Sequence, residues 1–326
     1  MTLISSVTLR PYTEKDQDEV ISIHRTIYPE YDQEKNQWRP GQQFDNPASL
    51  SHRYVACERG HIIGYAAIRE QYRARYRINL MVHPKKQRCG VGTRLFSIVL
   101  KEANQLNAIT LQARVRSDQP AALQFLHQSE FSEVHRMRGM TLSIDHVDFA
   151  NLQPTLDRVL SSGIDMTTLA QEQLDENAWL ARLHELYHQV SHGWPADDPT
   201  YPPTTVTLSQ FSEQVNQFKR PERFFIAKHS GHYVGFTSLF NIGTAVHPEY
   251  RGQGLATALK IKSLQVAREY GPAETWTCSA NPAMLAVNEK LGYQYLHAEV
   301  RFIRRFDEYR IDDMPINAGI NEKLTA

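Results

Sequence analysis

Cysteine is scarce in this chain of 326 residues, and Cys57, Cys89 and Cys278 follow no metal-ligand spacing. Three thiols cannot build a disulfide framework, which suits a reducing cytoplasm. No metal is expected. No apolar run approaches the roughly 18 residues of a membrane span. The opening residues, Met1-Thr-Leu-Ile-Ser-Ser, lack a basic segment ahead of an apolar core, so no secretory signal is expected. An excess of one charge is also missing. Thirty-six basic and 36 acidic side chains cancel, leaving no global field for nucleic acid or an anionic membrane.

What is present is a globular composition, 41% apolar, on a chain too long for one ordinary domain. At about 150 residues per domain, two are expected. The first opens with a short strand pattern, Val7-Thr-Leu-Arg10, ended by Pro11. Thr13 stands three residues before Asp16, ahead of apolar Val20, Ile21, Ile23 and Ile27, which predicts a capped amphipathic helix. Strand signals follow at Tyr54–Cys57, Ile62–Ile68 and Arg77–Val82, with a tight turn between the first two. A helix over Gly92–Leu106, a strand at Ile109–Val115, a helix near Pro120–His127 and a strand from Phe131 complete the unit.

Residues 147–163 read as a linker, and the element order then repeats. Ile164–Leu169 is a strand candidate, Trp179 to Tyr187 line a helix face, and strands fall at Phe224–Ala227 and Tyr233–Leu239. Leu255–Arg268 and Pro282–Leu291 read as helices, Thr275–Cys278 and Tyr293–Ile303 as strands. Val82-His83-Pro84 recurs as Val246-His247-Pro248, 164 residues on, and Gly90 matches Gly254 at the same offset. So long a period means duplicated domains, since solenoid repeats are far shorter. The expected boundaries are 1–146, the linker 147–163, 164–306 and a tail 307–326.

Each repeat carries a strand that ends at a proline and a glycine loop that leads into a helix. In Val246-His-Pro-Glu-Tyr-Arg-Gly-Gln-Gly-Leu-Ala-Thr257 the glycines let backbone N–H groups turn toward one point. Added to the helix N-terminal dipole, those amides suit a diphosphate. Arg251 either contacts that charge or braces the loop. The loop lacks the Lys-Ser/Thr of an NTPase P-loop, and no acidic ribose ligand follows a GxGxxG.

Arg251-Gly-Gln-Gly-Leu-Ala256 resembles the Q/R-x-x-G-x-G/A signature of GCN5-related N-acetyltransferases. The segment Asn281-Pro-Ala-Met-Leu-Ala-Val-Asn-Glu-Lys-Leu-Gly-Tyr293 resembles that family's closing helix. Gln87-Arg-Cys-Gly-Val-Gly92 also satisfies the signature, although the later helix has Glu130 where the family has Gly. The whole is similar to tandem-domain members such as the mycothiol synthase-like group. The resemblance implies an α/β (α+β) fold of two domains. In each, a mixed, mostly antiparallel sheet splays between two central parallel strands, with helices on both faces.

It further implies an acyl-CoA-dependent N-acetyltransferase. An acetyl group passes from acetyl-CoA to a primary amine of a small molecule or peptide by direct attack in a ternary complex. The second domain is the expected catalyst and the first a degenerate binder or scaffold. The resemblance places the CoA diphosphate on Arg251, Gly252, Gln253, Gly254, Leu255 and Ala256, and the pantetheine arm along Thr244 and Val246. The Val246 N–H faces the thioester carbonyl, and Asn281 and Asn288 contact the CoA arm. In the first domain the matching residues are Val82, Gln87, Arg88, Cys89, Gly90, Val91 and Gly92. The family's general-acid tyrosine is replaced by Asn288, and by Leu126 in the first domain, so general acid and base stay open.

Tyr187, His188, His192, Trp194, Asp197, Asp198 and Tyr201 border the expected acceptor side, where a loop or packing role is the favoured reading of each. His83 and His247 read as loop structure and Cys278 as an inert core thiol. Arg73, Arg75 and Arg77 read as a solvated strand edge. The rival reading is a non-catalytic acyl-CoA-binding or sensor protein. A third treats the duplication as a scaffold with vestigial loops. The tandem either mimics a dimer by itself or forms a homodimer.

Overall fold

The computed structural model describes residues 7–29, 51–175, 178–191, 205–218, 220–238, 243–270 and 274–306. Its contacts divide the chain into two compact units. Unit 1 takes Met1–Arg114, Ala121–Glu133 and Arg301–Ala326, and unit 2 takes Val115–Pro120 and Val134–Val300.

The first half of the chain runs β1 (Thr8–Pro11), α1 (Gln17–Ile27), β2 (Ser51–Glu58), β3 (His61–Tyr72) and β4 (Arg75–Val82). It continues through α2 (Val91–Gln105), β5 (Thr110–Arg116), α3 (Pro120–Gln128) and β6 (Ser132–Ser143). The Thr13–Asp16 box forms as expected. Asp16 accepts from the Thr13 N–H at 2.7 Å and binds Arg10 through two 2.7 Å hydrogen bonds. The helix that follows buries Val20 and Ile23 against Val55, Tyr65 and Met81.

β1 to β4 form an antiparallel meander, with Tyr54 opposite Ala66 and Gly64 opposite Val82. β5 joins β4 in parallel, but only across Arg75↔Thr110, Tyr76↔Leu111 and Arg77↔Gln112. Beyond Arg77 the two strands part, and Ile78–Val82 run on without that partner. This is the expected splay. Arg75 is buried (6% exposed), so it is no solvated edge residue as the sequence suggested.

The second half runs α4 (Phe149–Ser161), β7 (Ile164–Thr168), α5 (Leu169–Asp175), α6 (Trp179–Ser191) and α7 (Leu208–Asn216). Then come β8 (Phe225–His229), β9 (His232–Ser238), β10 (Gly243–Val246), α8 (Leu255–Tyr270), β11 (Glu274–Ser279), α9 (Pro282–Lys290) and β12 (Gln294–Arg305). The expected linker is a helix. Asp148 caps α4 by accepting from Asn151 N–H at 3.0 Å, and Leu152, Leu156 and Val159 are buried.

β10-β9-β8-β7 make a four-stranded antiparallel sheet with β10 at its edge. β11 pairs instead with β6, from Glu274↔Ser143 to Ser279↔Arg138. In unit 2 the opening beside β10 is therefore complete. Two apolar clusters hold the unit together. One gathers Leu259, Leu264, Met140 and Tyr293, the other Leu183, Leu186, Phe211, Phe224 and Phe236.

Candidate functional site

At each strand end the chain makes the same turn twice. His83 N–H donates to Ile63 C=O and His247 N–H to Val234 C=O, both at 2.9 Å. Each histidine then uses Nδ1 to accept from a backbone N–H two residues on, Lys85 at 3.2 Å and Glu249 at 3.4 Å. Both histidines are structural caps on a short 3-10 turn, which bears out the loop reading.

The signature residue braces the loop. Gln87 Nε2 donates to Val82 C=O and Arg251 Nε to Val246 C=O, each at 3.1 Å. Side chains as different as an amide and a guanidinium thus hold one backbone in one shape. The next positions are left-handed in both copies. Arg88 has φ +60° and Gly252 φ +75°, and Gly90 has +78° and Gly254 +89°. A non-glycine residue in that region costs about 1–2 kcal/mol, so the first loop carries strain that the second avoids.

Successive strand N–H groups point to opposite edges. Since His247 N–H faces β9, Val246 N–H faces the other way, into the open edge beside β10. By the same alternation Val82 N–H faces the gap where β4 and β5 have parted. The two valines are each 8% exposed. Thr244, two residues back on the same edge, bonds Thr237 through its hydroxyl at 2.7 Å. A helix start with turned amides and a strand N–H facing away from the paired neighbour therefore meet at each strand end. That arrangement suits a ligand with an anionic end and a carbonyl.

Close approach of helix to strand depends on two glycines that the sequence reading passed over. A Cβ on Gly64 would stand 2.8 Å from Leu95 Cδ1 and 3.1 Å from Met81 O. On Gly235 it would stand 3.1 Å from Leu259 Cδ1 and 3.2 Å from Ala245 O. Their signal was present as a glycine inside each strand pattern.

Comparison with known proteins decides what this twin arrangement is. The model of the acetyltransferase (GNAT) family matches residues 17–131 and again 183–293. The chain belongs to that family. A mycothiol acetyltransferase of Frankia casuarinae is 29% identical over 199 residues, which is 60% of this chain and 52% of the relative. The chain thus spans about half the length of that curated relative. Among solved structures, a GCN5-related N-acetyltransferase from Sphaerobacter thermophilus superposes with a TM-score of 0.64 at 16% identity. The match covers 92% of this chain and 95% of that one. A tandem GNAT protein from the clavulanic acid biosynthesis pathway gives 0.63 at 17% identity, over 92% and 98%. These two show the fold, a tandem of family domains.

The remaining expected site residues divide. Leu255 and Ala256 open α8, as Val91 and Gly92 open α2. Cys89 is exposed, with its thiol 3.4 Å from Gln87 C=O. Asn281 is exposed but spends its side-chain oxygen capping α9, accepting from Ala283 N–H at 2.9 Å. Asn288 is fully buried (0% exposed), accepts from Lys260 Nζ at 2.7 Å and donates to Met140 Sδ at 3.7 Å. It is a core residue, and its side chain is not offered to a ligand. The correction follows from helix phase, which turns Asn288 toward α8 and β6. Leu126, its counterpart in unit 1, is also buried.

Lys260 was missed. It is buried (4% exposed) with its ammonium 5.1 Å from the Tyr293 ring, and burial lowers its pKa to about 8. Arg158 was missed too. Its Nη1 lies 3.4 Å from Gln253 C=O, and a Cβ on Gly254 would meet Nη2 at 2.9 Å. The helix that carries it was taken as linker. Tyr187 is half-buried, and burial raises its phenol pKa. His192, Trp194, Asp197, Asp198 and Tyr201 lie outside the described residues, as does the side chain of Cys278. In unit 1 a cleft of about 340 Å³ opens beside the first loop, lined by Glu19, Ser22, His61, His83 and Lys85 among others. Among the described residues no group of three or more His, Cys, Asp or Glu is placed to hold a metal, and no helix is long and apolar enough to cross a membrane.

Proposed function

We propose that the protein moves an acetyl group from acetyl-CoA to a primary amine of a small molecule or peptide. The observation that carries this reading is the glycine loop of unit 2, where turned amides, Arg158 and the open-edge Val246 N–H converge. In this reading the CoA diphosphate lies on residues 251–256 and the pantetheine arm runs along Thr244 and Val246. The acceptor nitrogen attacks the thioester carbon, the C–S bond breaks, and CoA leaves as thiolate while the ammonium loses a proton. Val246 N–H steadies the charge that builds on the carbonyl oxygen, a contribution on the order of 3 kcal/mol. Unit 2 is assigned the catalysis because Gly252 and Gly254 hold the loop without strain.

The test adds one charge to each loop at twin, exposed positions, Gln253→Glu and Cys89→Glu. Acetyl-CoA binding is followed by calorimetry, and transfer by the free CoA thiol released with a panel of amines. Gln253→Glu is expected to weaken binding at least tenfold, about 1.4 kcal/mol of repulsion, and to abolish transfer. Cys89→Glu should leave transfer in place. Absence of acetyl-CoA binding to the parent chain overturns the reading. Binding without transfer to any amine favours the sensor instead, a reading helped by Asn288 and Leu126, which put no hydroxyl at either helix position.

A further inference from the structure

Three features lie outside the reading above: the buried Lys260, the cleft of unit 1, and two histidines on α6. The histidines carry the most. His184-Glu-Leu-Tyr-His188 places two imidazoles four residues apart, on one face of the helix. Their Nε2 atoms stand 3.0 Å from each other, and both converge on Val206 C=O, at 2.7 Å from His184 and 3.0 Å from His188. The rings meet edge to face at 82°, and His184 packs 5.3 Å from Phe211, so both are held in place.

Hydrogen bonding alone accounts poorly for this meeting. If both rings carry hydrogen on Nε2, two N–H groups crowd against each other over one oxygen. If either does not, its lone pair faces the carbonyl oxygen. A cation removes the conflict, because both Nε2 lone pairs then point at it and the hydrogens move to Nδ1. Metal–nitrogen bonds of 2.0–2.1 Å at a tetrahedral angle set the two nitrogens about 3.3 Å apart, close to what is found.

We propose that His184 and His188 bind one first-row divalent cation of the zinc type through Nε2. Val206 C=O stands as third ligand and the remaining position is left to water. Two imidazoles suit zinc, nickel and copper far better than magnesium or calcium. Bound there, the ion ties α6 to Val206, two residues ahead of α7, whose first turn is fixed by the Thr207–Gln210 capping box.

Full-length protein free of any affinity tag, stripped with chelator and dialysed, is titrated with Co²⁺ and followed by visible absorption. One equivalent should give the strong bands of a four-coordinate ion, and Zn²⁺ should displace it. His184→Gln and His188→Gln should each weaken this equivalent by well over about 100-fold, beyond the 10–100-fold lost when only an outer partner is removed. The exposed His146→Gln serves as the control and should leave it intact. Melting curves in chelator check that the variants fold, since Gln can still donate to Val206 C=O. Failure of the parent to saturate at one equivalent, or survival of the bands in the double variant, overturns the proposal.

Discussion

The two units answer one backbone problem with different side chains. Both end a strand, brace the loop on the last carbonyl, and turn two residues left-handed before a helix. Unit 2 does so with Arg251, Gly252 and Gly254, unit 1 with Gln87, Arg88 and Gly90. The helix that follows shows a larger contrast. In unit 1 the contact between α2 and α3 is apolar, with Phe96 set 5.7 Å from Phe125 and 5.9 Å from Phe131. In unit 2 Lys260 stands in place of Phe96, Tyr293 in place of Phe131 and Asn288 in place of Leu126, all three buried. The fold tolerates either filling, so a buried ammonium is no requirement of the architecture.

The largest effect is expected where the units agree. Gly64→Val and Gly235→Val force a branched side chain into a helix–strand contact, and overpacking of this kind costs about 1–3 kcal/mol. The tighter Gly64 site should lose more, because the intruding atom would start 2.8 Å from Leu95. Urea unfolding measures both. Should either variant unfold at the same midpoint as the parent, close packing is not what keeps glycine there.

Lys260 tests where they differ. Burial holds its pKa at about 8, against an ordinary value near 10.5. Below pH 8 both folded and unfolded chains hold the proton, and the desolvation cost is constant, on the order of 3 kcal/mol. Between pH 8 and 10.5 the unfolded chain holds more protons, so stability should rise with pH across that window. Lys260→Met should flatten the rise, while at pH 7 the desolvation it relieves is opposed by the loss of the donor to Asn288 Oδ1. A slope unchanged in the variant would show that another group causes it.

These contrasts also explain how much was legible in the sequence. The duplicated Val-His-Pro, the loop glycines and the helix periodicity showed the duplication and the element order, because each records a local backbone demand, while the splayed sheet was implied by the family resemblance. Helix starts and ends near α2 and α8 came out within a residue or two. Asn288 was misplaced because a spacing rule assigns a position on the chain but not the direction its side chain faces. Lys260 and Arg158 were invisible for a related reason. Their roles arise from contacts 28 and 95 residues away in sequence, with Asn288 and Gln253. α4 was read as linker because its apolar residues, Leu152, Leu156 and Val159, are spread through a polar stretch containing Pro154.

The smallest expected effect concerns the residue that first marked unit 1 as atypical. Glu130 stands at φ +64° where unit 2 has Gly292 at +91°. Both helices end alike: Phe131 N–H bonds Leu126 C=O at 3.0 Å, and Tyr293 N–H bonds Asn288 C=O at 3.1 Å. The missing glycine therefore leaves the helix ending intact. Glu130 bears the cost of a left-handed backbone, about 1–2 kcal/mol, which its partly exposed ion pair with Arg304 at 2.7 Å offsets only in part. Gly292→Ala should lose about 1 kcal/mol, since a Cβ there has room, 3.6 Å from Leu142, and only the backbone objects. Glu130→Gly should gain a few tenths, because relief of strain is opposed by the freedom glycine adds to the unfolded chain. Opposite signs in paired unfolding curves would place the difference between the units in side-chain cost alone. A loss in both variants would mean the Glu130–Arg304 pair is worth more than exposed pairs ordinarily are.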